Sequence, residues 1–96
     1  MYAIVRNYSG AGAKQLFDLL DQRKAEVEAT LRKVPGLVSY TLARGGDGGM
    51  SITVCNDKAG ADESVKVARD WIKSNAAGIP AYPPAIMEGP VIVRIG

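Results

Sequence analysis

Glycine and proline cut this 96-residue chain into six short segments, and the order of their periodicities limits its folds severely. Tyr2 to Tyr8 is rich in β-formers and predicts an opening strand, which Ser9-Gly10-Ala11-Gly12 breaks. From Ala13 to Lys33, Leu16, Leu20, Val27 and Leu31 recur at helical spacing, with Asp18, Asp21, Glu28 and Arg32 between them. That pattern predicts one long amphipathic helix, stopped by Pro35-Gly36. Leu37 to Arg44 and Met50 to Asn56 read as strands joined by a five-residue hairpin loop, Gly45 to Gly49. A phosphate cradle is excluded there, because such a loop must run from a strand into a helix. Asp62 is expected to cap a second helix reaching about Ala76, with Glu63 in its first turn and Gly78 past its end. Three prolines deny regular structure to Ile79–Pro84, and Ile86 to Ile95 closes the chain as a strand bent near Gly89-Pro90.

The order is therefore β-α-β-β-α-β. This is the α+β, ferredoxin-like plan: a four-stranded antiparallel sheet with both helices on one face. At this length residues 1–96 form a single domain. Two helices cover only one face of such a sheet, so the strands should alternate apolar and polar. They do not. Strand one carries Tyr2 and Ile4 on one side and Ala3 and Val5 on the other. The last strand has Val91, Val93 and Ile95 opposite Ile92. Something must cover the second face, and a second copy of the chain, making a homodimer, is the expected cover.

Composition narrows the chemistry. With no histidine, a histidine-ligated metal, a histidine base and a Ser–His–Asp triad are all excluded. A net charge of +2 is too small to indicate nucleic-acid binding. The single cysteine, Cys55, excludes an internal disulfide and fits a reducing compartment. Its context offers no cation before Lys58 to activate the thiol, so it reads as a small buried hydrophobe. No carboxylate pair or metal-ligand cluster stands out. MYAIVRNYSG does not read as a signal peptide, and no apolar run approaches the roughly 20 residues of a membrane span. A cytoplasmic location without a membrane partner is expected.

The element order, the doubly apolar sheet and the stretch Arg69-Asp70-Trp71-Ile72-Lys73-Ser74 resemble the dimeric α/β-barrel superfamily, in particular its antibiotic-biosynthesis-monooxygenase-like branch. The resemblance implies a pocket between helices and sheet. In the branch's haem-degrading members an asparagine on the first strand, a tryptophan on the second helix and a histidine about ten residues later line it. Asn7 and Trp71 stand at the first two positions, but the third falls near Ala81 or Tyr82. Haem iron needs an axial ligand, so neither haem nor any other cofactor is expected. Cofactor-independent members use asparagine, tryptophan, tyrosine and arginine. On that resemblance Asn7, Trp71 and Tyr82 are the candidate catalytic residues and Arg69 a candidate substrate-binding residue.

Each candidate also has a purely structural reading. Asn7 could be satisfied by backbone, Trp71 could fill the core, Tyr82 could pin its loop, and Arg69 could be solvated. If a pocket exists, Asn7 shares a side of strand one with the small residues Ala3 and Val5 and is expected to face it together with Trp71. Two functions follow. One is a cofactor-independent, monooxygenase-like enzyme acting on a small aromatic or polyketide-like compound. The other is a non-catalytic, small-molecule-binding or stress-related homodimer.

Overall fold

In the computed structural model, which describes residues 1–96, the elements run β1 (Tyr2–Tyr8), α1 (Ala13–Gln22), α2 (Lys24–Leu31), β2 (Leu37–Gly45), β3 (Gly48–Cys55), α3 (Lys58–Asn75) and β4 (Ala85–Pro90). The four strands form one antiparallel sheet in the order β2-β3-β1-β4, with the helices packed on one face. The ferredoxin-like plan is the observed one.

Period-two alternation decides what each strand presents to the helices. On β1 it is Ile4, Arg6 and Tyr8 that are buried, and on β3 it is Ser51, Thr53 and Cys55. Phe17, Leu16 and Leu20 of α1, Val27 and Leu31 of α2 and Trp71 of α3 close the main core over them. A second small cluster, Ile4, Cys55 and Ala61, seals the other end. Burial pushes the Cys55 thiol up, as an inert core cysteine requires.

Gly12 starts α1 in the left-handed region at φ 83°. A Cβ there would also lie 2.6 Å from the Pro80 carbonyl oxygen, so the loop after α3 can lie on this turn only because the residue is glycine.

Four expectations about the elements are corrected. The single helix over Ala13 to Lys33 is two, because Arg23 leaves helical geometry at φ −112°, ψ 28°. Neither glycine nor proline marks the break. It tips α2 toward α3, where Glu26 reaches Trp71 and the Arg23 guanidinium lies 5.3 Å above the indole. The five-residue hairpin loop tightens to Gly46-Asp47, with Gly45 paired to Gly48.

The cap of α3 is Asp57, whose Oδ1 accepts from the Gly60 amide at 2.9 Å, while Asp62 pairs with Lys58 at 3.0 Å. Finally, β4 spans Ala85–Pro90 rather than Ile86 to Ile95. The pairing with β1 runs to Tyr2 opposite Pro90, and Val91 then donates to the Met1 carbonyl. Ile92 and Ile95 are each 95% exposed.

Candidate functional site

The break at Arg23 lets α2 lean on α3 and leaves a cleft of about 1180 Å³ between the α1–α2 pair and β2. Its floor is apolar, from Phe17, Leu37 and Leu42, and its rim carries Lys24, Arg32 and Arg44. Arg44 is held at 2.8 Å by Asp18 and at 3.6 Å by Asp21. That guanidinium, with Lys14 beside it, keeps the Asp18 carboxyl below the usual carboxylate range.

Behind the cleft, sharing Leu20, Val27, Leu31, Tyr40 and Leu42 as a common wall, lies an inner pocket of about 20 Å³. That is room for about one water-sized group. Arg6, Tyr8, Ser51 and Trp71 line it. The Arg6 guanidinium sits 5.4 Å from the centre of the Tyr8 ring, and the Tyr8 ring meets Phe17 edge-on at 5.7 Å. Arg6 Nε, the Tyr8 hydroxyl and Ser51 Oγ are buried with no hydrogen-bond partner. Burial pushes the Tyr8 and Tyr40 phenols up, so both remain neutral donors at pH 7.

Of the candidates read from the sequence, only Trp71 lines this space. It is buried, and its Nε1 donates to Glu26 Oε1 at 3.1 Å. The indole thus offers a face rather than a free N–H. Arg23, and to a lesser extent this bond, hold the Glu26 carboxyl below its ordinary range.

The expectation that Asn7 shares a cavity with Trp71 is corrected. Asn7 alternates with the buried Arg6 and Tyr8, so it lies exposed on the helix-free face. Its cross-strand neighbours there are Met50 and Ala85. Ala3 and Val5 lie on that same open face and leave no room beneath the helices.

Tyr82 is 63% exposed and lies over Gly10, at the turn between β1 and α1. Arg69 is exposed on the outer side of α3. Neither lines the cleft or the inner pocket.

Sequence reasoning missed Arg6. The signal was available: a charged residue between Ile4 and Tyr8, in step with them on a strand whose other residues, Asn7 apart, are apolar or aromatic.

No family model and no curated protein sequence matches the chain. Solved structures match it in fold. HapK from Hahella chejuensis superposes with a TM-score of 0.72 at 13% identity, over 100% of this chain and 97% of that one. The ActVA-Orf6 monooxygenase of Streptomyces coelicolor, solved with the ligand Nanaomycin D, gives 0.65 at 17%, over 98% and 88%. MhuD with two manganese protoporphyrin IX bound per active site gives 0.66 at 18%, over 99% and 97%. The ferredoxin-like fold is shared with these proteins and with structures described as antibiotic biosynthesis monooxygenases from Chloroflexus aurantiacus and Caulobacter crescentus, at 14% identity each.

A porphyrin iron, which such neighbours raise, does not fit the residues present. Histidine is absent, Cys55 is fully buried beneath Ala61, and Tyr82 stands outside the cavity. Tyr8 and Tyr40 remain, but burial raises both phenols, opposite to what an iron-bound phenolate requires. No helix is long and apolar enough to cross a membrane.

Proposed function

We propose that the chain is a monooxygenase-like enzyme that takes a small planar aromatic or polyketide-like compound into the cleft between α1–α2 and β2. The observation that carries this reading is a cleft of about 1180 Å³ with an apolar floor of Phe17, Leu37 and Leu42 and a charged rim. Binding sites commonly have this make-up: apolar walls and a few convergent polar atoms. The fold shared with a monooxygenase from Streptomyces coelicolor supports the same direction.

For such a compound the reaction would be the oxidation of an activated ring methylene by dioxygen. One oxygen atom becomes the new carbonyl and the other leaves as water with the two methylene hydrogens. Phe17, Leu37 and Leu42 would form the floor against which the ring lies. Asn7, Tyr82 and Arg69 stand outside the cavity and are not assigned to the chemistry. Aerobic incubation with anthrone, followed by an oxygen electrode, is the test. Oxygen uptake above the enzyme-free rate and matched by anthraquinone formation is expected, whereas uptake at the enzyme-free rate contradicts it.

A non-catalytic ligand-binding role is the second reading. It is favoured by one observation, that the Trp71 N–H is already engaged by Glu26 and is not available to a substrate.

The same reading includes a homodimer formed through the open sheet face. Met50, Ile52 and Met87 are exposed there at 39%, 37% and 78%, alongside Ala3 and Val5. An apolar row of this extent on one sheet face is unusual on a monomer. We assign Asn7 to this surface.

A further inference from the structure

Cross-strand pairing lays three rows over the open sheet face, running from Ser39 to Gly89, from Thr41 to Met87 and from Ala43 to Ala85. No residue in these rows is charged, in a chain where 23% of residues are. Such a face offers nothing to a partner held by charge, such as nucleic acid or an anionic membrane surface. It meets its own copy without like-charge repulsion, so a second chain is the occupant it fits.

Both internal methionines stand on this face. Met50 lies across from Asn7 and is 39% exposed, and Met87 lies across from Val5 and is 78% exposed. Methionine is among the residues most often buried, but the core of this chain holds none. A thioether suits an adaptable contact surface, and it is also open to oxidation.

We propose that Met87, with Met50 as a lesser site, is an oxidation site through which hydroperoxides separate two copies of the chain. This rests on the reading of the open face as a homodimer surface. The thioether sulfur attacks the terminal oxygen of the hydroperoxide and the O–O bond breaks. The proton of that oxygen passes to the departing one. Sulfur is oxidised to the sulfoxide, and the peroxide is reduced to water or an alcohol.

The two sites differ in what can answer the new acceptor. The exposed Asn7 amide stands directly across from Met50 and can donate to its sulfoxide. Met87 has Val5 across from it, with Ala85 and Gly89 two positions away on its own strand, and none carries a side-chain donor. Closing a second copy over a Met87 sulfoxide therefore buries an acceptor on each side of a two-fold dimer. Cys55 is fully buried, so peroxide meets the thioethers rather than the thiol.

Hydrogen peroxide is the probe. The treated chain, followed by peptide mass spectrometry and sedimentation equilibrium, should gain one oxygen at Met87 and pass from the mass of two chains to that of one. The dimer dissociation constant should rise roughly 30-fold or more, the usual worth of two buried acceptors left unpaired. The helical circular dichroism signal should hold, since neither thioether lies in the core. Both methionine sulfoxide reductases together should restore the mass of two chains. Met87→Leu should keep that mass after peroxide, and Met50→Leu should not. Ile52→Glu, expected to leave single chains, should be oxidised at Met87 faster than the unsubstituted protein.

Full oxidation of Met87 with the mass of two chains retained overturns the site and leaves the homodimer standing. Equal dissociation of Met87→Leu by peroxide does the same. Untreated protein at the mass of one chain removes the homodimer reading and the site with it.

Discussion

Trp71→Ala is expected to cost about 3–5 kcal/mol of folding stability, the usual range for deleting a buried indole. The side chain is 9% exposed and joins Leu20 and Val27 in the main core. Its loss also removes the Arg23 stacking at 5.3 Å and the bond to Glu26, which together hold α2 against α3. In a chain of this size each 1 kcal/mol shifts the melting temperature by about 4–8 °C, so a fall of at least about 12 °C is expected. Chemical denaturation followed by circular dichroism measures it. Trp71→Phe should fall between, since it keeps an aromatic body and loses the N–H. A loss below about 1 kcal/mol for Trp71→Ala would show that the indole does not join the helices.

Ile52→Glu is the second large effect. Cross-strand pairing places Thr41, Ile52, Val5 and Met87 in one row across all four strands of the open face. A second copy on this face would bury that row, and a carboxylate at its centre would be trapped without a partner. Sedimentation equilibrium at micromolar concentration should find the mass of two 10.2 kDa chains before the substitution and of one after it. A native protein sedimenting at the mass of one chain rules out the dimer.

The element order was legible because each segment is short, periodic and flanked by glycine or proline. Which side of the sheet the helices cover was not. On β1 both sets of alternate residues look apolar, so Asn7, grouped with Ala3 and Val5, could be placed under the helices as easily as outside them. The presence of Arg6 between Ile4 and Tyr8 made the outer placement harder still to see, because a buried arginine is the less common arrangement. Periodicity also carried straight through Arg23, where the break depends on contacts with Trp71, about fifty positions away in the chain. At α3 the expected start at Asp62 left out the first turn, where Gly60 stands and a Cβ would lie 3.1 Å from the Pro35 carbonyl and 3.3 Å from Cys55. Glycine allows the first turn to lie close to those neighbours. The end of β4 depends on where β1 begins, which no local pattern reports.

The candidate site divides in the same way. Trp71 was visible as a lone aromatic at the margin of a helical stripe, and it does line the inner pocket. Tyr8, Tyr40 and Ser51 carried no distinguishing local signal. They meet only because β1, β2 and β3 bring their inward positions together beneath the helices.

A crystal structure of the protein soaked with alizarin tests the placement of the ligand most directly. Density for the ring system between α1–α2 and β2, against Phe17, Leu37 and Leu42, is the expected result. Density on the open sheet face beside Asn7, or an empty cleft at saturating ligand, contradicts it.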